Sequence, residues 1–282
     1  MNFKEFGRTG KKISAMGIGT WDIGSDIDKN VESIKYAIEN GINFIDTAEM
    51  YGTEPVVARA IRSYSRSDLF IATKVWPDHF QHDSVIKACN DSLNKLQTEY
   101  IDLYQLHWPS KSVPISETMK AMEELMDQGK IHHIGISNFT LEQTKMAMES
   151  MKKYEIVSNQ IEYNIVTRDI ERSGLYTFCK NNKIAMIAYS PLSHGKILSQ
   201  SKLVDQLAKM AIPYDATPSQ MALAWLINRD DVFPIPKASN KDHMKEDIAS
   251  ADIKITTEDM KKMDEIESKF YVAPIASRQS SR

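Results

Sequence analysis

A strand built from Ile184-Ala185-Met186-Ile187-Ala188-Tyr189 has no polar face. Half-buried strands alternate apolar and polar residues, so a continuous run marks a strand covered on both sides, as in a parallel sheet. Comparable runs stand at residues 14–20, 42–47, 69–74, 101–107, 132–137 and 156–160 before it, and at 232–236 after it. Helical periodicity fills the gaps. Val31, Ile34, Ala37 and Ile38 share one face, with Gly41 as a natural stop. Ile86, Cys89, Leu93 and Leu96 form a second stripe; Ile115, Met119, Met122, Leu125 and Met126 form a third, ended by Gly129. Methionines at this spacing read as core filler. The interval before the last run is longer and holds two helical stretches, 203–210 and 217–228, so extra helices are expected near the C-terminus. No linker rich in Pro, Gly or Ser divides the chain. The pattern predicts one α/β domain over residues 1–282, a (β/α)8 TIM barrel, and leaves an open doubly wound sheet as the alternative.

The composition sets outer bounds. Of 282 residues 42% are hydrophobic and 26% charged, with a formal net charge of −3, the balance of a globular chain. That charge lacks the basic excess of a nucleic-acid-binding surface. No apolar stretch approaches the ~20 residues that span a bilayer. The opening Met1-Asn2-Phe3-Lys4-Glu5-Phe6 lacks a signal-peptide pattern, so a cytoplasmic protein is expected. Cys89 and Cys179 read as buried free thiols of a reducing compartment. No metal is expected: His132 and His133 are adjacent and would point to opposite faces of a strand, and no metal-ligand motif occurs.

In a barrel the chemistry sits where the strands end. The run at 42–47 closes on Asp46-Thr47-Ala48, with Tyr51 shortly after. The next closes on Lys74-Val75-Trp76, and the one after on His107-Trp108-Pro109. An acid, a phenol, an ammonium and an imidazole thus meet on one rim, the set a carbonyl reduction needs. Reduction at carbon leaves an alkoxide that must take a proton. A free phenol with pKa near ~10 is a sluggish donor. An ammonium about 4 Å away contributes roughly 4 kcal/mol at an effective dielectric of about 20, or about three pKa units. Lys74 is the candidate cation, Asp46 would hold it charged, and His107 would orient the carbonyl. Taken singly these residues have plainer readings: Asp46 as a helix N-cap, Lys74 as a surface lysine, His107 as a structural histidine.

Together they resemble the catalytic tetrad of the aldo-keto reductases. Phe6-Gly7-Arg8-Thr9-Gly10 followed by Gly17-Ile18-Gly19-Thr20-Trp21 is similar to that family's N-terminal β-hairpin and first strand. The stretch from Gly41 to Gly52, Gly135-Ile136-Ser137-Asn138-Phe139, Asn159-Gln160, Tyr189-Ser190-Pro191-Leu192 and Ile235-Pro236-Lys237 extend the resemblance over about residues 3–270. It implies an NADP(H)-dependent enzyme that reduces aldehydes or ketones, with Tyr51 as general acid. Ser137, Asn138 and Gln160 should bond the nicotinamide carboxamide, Tyr189 should stack on its ring, and Asp46 should touch its ribose. Gly19, Thr20, Trp21, Ser190, Pro191 and Leu192 are expected along the cofactor. Trp21, Trp76 and Trp108 match positions lining the substrate pocket, where core packing is the plainer reading. The chain has no Gly-x-Gly-x-x-Gly, as expected of a family that binds NADP(H) across the barrel mouth.

The segment Lys237-Ala238-Ser239-Asn240-Lys241-Asp242-His243, then Glu246-Asp247, resembles the family's adenosine-phosphate loop. Lys237 would contact the 2′-phosphate, and Glu246 and Asp247 the adenine amino group. His243 departs from the arginine of many relatives, and an imidazole lacks its fixed charge and bidentate fork. NADP(H) is expected over NAD(H), with weakened discrimination. The short tail at 272–282 suggests an open pocket. The partner is a small carbonyl compound, without nucleic acid or membrane, and a monomer is favoured. Two other functions stay open: a nucleotide-binding regulatory subunit on the same fold, and a barrel of another class such as a phosphate-sugar isomerase.

Overall fold

The structure is a computed structural model that describes residues 1–237 and 239–266. An antiparallel hairpin of β1 (Phe3–Glu5) and β2 (Lys12–Ser14) comes first. Eight parallel strands follow: β3 (Ile18–Gly19), β4 (Phe44–Asp46), β5 (Phe70–Val75), β6 (Ile101–Leu106), β7 (Ile131–Ser137), β8 (Ile156–Glu162), β9 (Ala185–Tyr189) and β10 (Val232–Pro234). Each pairs with the next in chain order. The sheet then closes on itself. The Gly17 N–H donates to the Pro234 carbonyl at 3.0 Å, and the Gly19 N–H donates to the Pro236 carbonyl at 2.8 Å. Prolines lack a donor but still accept, so this seam runs on bonds given by the glycines. Closure decides for a barrel against an open sheet.

β5 and β6 are buried along their whole length, which is why their sequences do not alternate. Outside them lie the helices Glu54–Ile61, His82–Leu96 and Ile115–Asp127. Inside, Phe6, Phe44, Phe70, Leu103 and Phe233 fill the end where the strands begin. The Phe6 ring lies 5.1 Å from both Phe70 and Phe233. The hairpin that carries Phe6 therefore plugs this end of the barrel. Gly7 makes the plug possible: a Cβ there would stand 2.7 Å from the Val157 carbonyl.

The run expected at 14–20 is split. Ser14 closes the hairpin, and only Ile18–Gly19 joins the barrel. The Ala15 N–H turns to the Asn2 carbonyl, and Gly17 lies so close to the Phe44 ring that a Cβ would reach it at 2.4 Å. The extra helices are present as Ser201–Ala211 and Pro218–Ile227. Thr217 and Gln220 form a capping box on the latter. Cys89 and Cys179 are free and buried, and burial pushes each thiol up to about 12. His132 stacks on Tyr100 and His133 on Phe70, facing different ways. No described helix is long and apolar enough to cross a membrane. Ala238 and the tail at 272–282 lie outside the described residues.

Candidate active site

Asp46 is the last residue of β4, Lys74 lies near the end of β5, and His107 directly follows β6. The Lys74 ammonium donates to Asp46 Oδ2 at 2.5 Å and to the Thr47 carbonyl at 2.9 Å. The other carboxylate oxygen of Asp46 accepts from Gln160 Nε2 at 2.8 Å and Gln105 Nε2 at 3.2 Å. Side-chain exposure is 0% for Lys74 and 2% for Asp46. A charge pair this deep persists only when further hydrogen bonds satisfy both partners, and here they do.

Tyr51 ends a short 3-10 turn, Glu49–Tyr51, above this pair. Two anchors hold the turn. Thr53, two residues on, meets Thr20 and Thr47, each at 2.9 Å between hydroxyl oxygens, which ties the ends of β3 and β4 together. Glu49 accepts from the Trp76 N–H and from His79 Nδ1, at 2.5 and 3.0 Å. The Tyr51 hydroxyl then lies 3.3 Å from His107 Nε2, and the Lys74 ammonium 5.0 Å from the centre of the Tyr51 ring. Trp76 packs edge-on against the His107 ring at 5.1 Å.

The electrostatics differ from the expectation in one respect. The Tyr51 phenol is pushed up rather than down, by burial first and by the Asp46 carboxylate second. Lys74 donates to Asp46 at 2.5 Å, and no lowering of the phenol's pKa by Lys74 offsets burial and the Asp46 carboxylate. Burial also lowers the Lys74 pKa, partly offset by Asp46. His107 is pushed down to about 2, by burial and then by the Lys74 charge, so its imidazole is neutral at any ordinary pH. The site thus presents a protonated phenol beside a neutral imidazole.

The rest of the rim surrounds this centre. Asn138, in the left-handed region at φ 64°, donates through Nδ2 to the His107 carbonyl and to Ser137 Oγ, both at 3.1 Å. Its Oδ1 accepts from the Tyr189 hydroxyl at 2.9 Å. Gln160 is expected at a carboxamide, but its Nε2 points down to Asp46. After β9, Ser190 sits at φ 49° with its hydroxyl 3.0 Å from His194 Nε2; Pro191 is buried and Leu192 half-buried. Trp21 is 48% exposed and meets His194 edge-on at 5.5 Å, while Trp76 and Trp108 are half-buried. At the barrel seam Gly19 bridges Lys237, and Thr20 is buried beside it. The Lys237 ammonium reaches Asp22 at 3.0 Å. Ser239 leads into Asn240, which caps the helix Lys241–Ala249 by accepting from the Asp242 N–H. His243 is exposed on that helix. Glu246 accepts from the hydroxyls of Thr217 and Ser219, and Asp247 is buried, its carboxyl pushed up to about 7 by burial and then by Glu246.

A donor set of this kind suits a nicotinamide dinucleotide: neutral amide and hydroxyl groups beside the phenol, an aromatic ring at Tyr189, and an exposed ammonium at the seam. The profile of the Aldo/keto reductase family matches residues 15–268. The chain belongs to the aldo/keto reductase family. Methylglyoxal reductase YeaE of Escherichia coli K12 is 34% identical over 269 residues, covering 93% of this chain and 92% of that relative. Among solved structures, the thermostable aldo-keto reductase Tm1743, in complex with the inhibitor epalrestat, is 41% identical with a TM-score of 0.90. It covers 94% of this chain and 100% of its own. An aldo-keto reductase from Klebsiella pneumoniae in complex with NADPH is 32% identical with a TM-score of 0.87, covering 95% and 96%.

Sequence reasoning missed four residues that build this candidate site: Glu49, Thr53, Gln105 and Asp22. Gln105 had a signal, an amide inside the apolar run Ile101–Leu106, where a buried polar group must find a partner. Glu49 and Thr53 flank Tyr51 but look like ordinary turn residues. Asp22 carries no local signal, because Lys237 is 215 positions away.

Proposed function

We propose that this aldo/keto reductase reduces the carbonyl group of a small aldehyde or ketone with NADP(H), Tyr51 supplying the proton. The observation that carries the reading is the Tyr51 hydroxyl standing 3.3 Å from His107 Nε2 above the buried Lys74–Asp46 pair. A reduced nicotinamide, when bound, supplies the hydride that the carbonyl carbon accepts. Tyr51 gives its hydroxyl proton to the oxygen as negative charge builds there, and solvent restores that proton afterwards. The raised phenol pKa keeps Tyr51 protonated until an alkoxide, a stronger base, is there to take the proton. His107 is neutral, so in the Nε2–H tautomer it donates a hydrogen bond to the same oxygen without competing for the proton. Asp46 and Lys74 fix the floor under Tyr51. Asn138, Ser137 and Tyr189 would hold the nicotinamide end, and Trp21, Trp76 and Trp108 would wall the substrate.

Lys237, with Ser239, Asn240 and His243, would take the adenosine-phosphate end, with NAD(H) as the weaker alternative. A relative named methylglyoxal reductase makes small 2-oxoaldehydes the first substrates to try, beside a reactive aromatic aldehyde. The test is NADPH oxidation by wild type and Tyr51→Phe. General acid catalysis contributes about 10²–10⁴, so kcat should fall by that factor while NADPH binding persists. Turnover indifferent to the substitution would remove Tyr51 from the mechanism. NADPH binding without turnover on any carbonyl would favour the regulatory reading.

A further inference from the structure

The Trp21-Asp22 turn touches both segments expected to hold the cofactor. Trp21 meets His194 at 5.5 Å, and Asp22 Oδ2 accepts from the Lys237 ammonium at 3.0 Å. Asp22 sits in the left-handed region at φ 51°, which favours glycine and is tolerated by Asp. That backbone geometry sets the carboxylate at the barrel seam, where Gly19 bridges Lys237. Both side chains remain substantially open, 66% for Asp22 and 45% for Lys237, so the pair is a contact that another anion can enter. The helix after Lys237 carries the exposed Lys241, His243 and Lys245.

We infer that Asp22 is a specificity-determining residue that competes with the cofactor's 2′-phosphate for Lys237 and so narrows the preference for NADPH over NADH. The inference rests on the functional reading above, in which Lys237 receives that phosphate. NADH has a hydroxyl in its place and makes no claim on the ammonium, so the Asp22–Lys237 pair costs it nothing. NADPH must draw Lys237 away from Asp22, or share it, with a carboxylate facing a dianion across one ammonium. Two anions bonded to the same ammonium lie at most about 6 Å apart. At that separation, in water with physiological salt, one charge against a dianion shifts affinity by about 3- to 10-fold. An exposed pair is itself worth little, so removing Asp22 leaves the fold intact.

The test is titration of intrinsic tryptophan fluorescence with NADPH and with NADH, on wild type, Asp22→Asn and Asp22→Gly. The glycine variant accepts the positive φ and guards against a turn disturbed by the amide. The expected result is an NADPH Kd lowered by about 3- to 10-fold, an NADH Kd within about twofold of wild type, and a gap that shrinks as salt is raised. Equal changes for both cofactors would show that Asp22 only shapes the turn, and a ratio of Kd values unmoved in both variants overturns the inference alone. If wild type binds NADPH not at all, the functional reading falls and this inference falls with it.

Discussion

Replacing Asp46 with asparagine keeps the shape of the side chain and deletes the only carboxylate bonded to Lys74 among the described contacts. The ammonium is 0% exposed, and its contact with Asp46 is 2.5 Å long. In the variant it keeps the Thr47 carbonyl, at 2.9 Å, as an acceptor, but loses its counter-charge. Breaking one half of a buried pair typically costs about 3–5 kcal/mol, and complete burial argues for the upper part of that range. The penalty has a pH signature. Burial already lowers the Lys74 pKa, and loss of Asp46, which raises it, lowers it further. Between the depressed folded pKa and the ordinary value of 10.5 the unfolded chain binds more of this proton, so stability rises with pH there, by up to about 1.4 kcal/mol per unit. Urea unfolding of wild type and Asp46→Asn at pH 7, 8 and 9 reads both quantities. Adding Lys74→Met to Asp46→Asn should recover part of the loss, because the uncompensated charge is then gone. A loss below about 1 kcal/mol with no steeper pH dependence than wild type would refute the claim that Asp46 neutralises Lys74.

Two further outcomes are expected. His107 has a folded pKa near 2, well below its ordinary 6.5, so the unfolded state takes up its proton first as pH falls. Its contribution to stability is complete above pH 6.5 and is lost toward pH 2, by up to about 1.4 kcal/mol per unit. Unfolding at pH 7, 6 and 5 should therefore fall less steeply in His107→Gln than in wild type, and parallel slopes would contradict the buried neutral imidazole. Phe6→Ala should cost about 3–5 kcal/mol, because the ring touches three phenylalanines at the base of the barrel. Thermal unfolding measures it, and a loss under 1 kcal/mol would mean the hairpin is not the plug described.

Much of the fold was legible because its signals are local. Continuous apolar runs mark strands covered on both faces, and the helices between them show their stripes within a dozen residues. The candidate site residues were legible for the same reason: in a barrel, the residue that ends an apolar run stands at the mouth, and Asp46, Lys74 and His107 each do so. The split of the run at 14–20 was not legible, since hairpin and barrel strand are both apolar there and only the approach of Gly17 to Phe44 separates them.

What only the tertiary structure decided concerns charge and partnership between positions remote in the chain. The sequence reading has Asp46 holding Lys74 and Lys74 acidifying Tyr51; the fold makes the Lys74–Asp46 contact, but burial dominates the phenol and pushes its pKa up. Gln160 stands 114 positions from Asp46 and bonds it; Lys237 stands 215 positions from Asp22 and bonds it. Closure rests on Gly17 and Gly19 donating to Pro234 and Pro236. Periodicity reports which face of an element is buried, because it follows from the geometry of a single helix or strand. It is silent on which charge meets which, because that depends on where the closed sheet brings its two ends together.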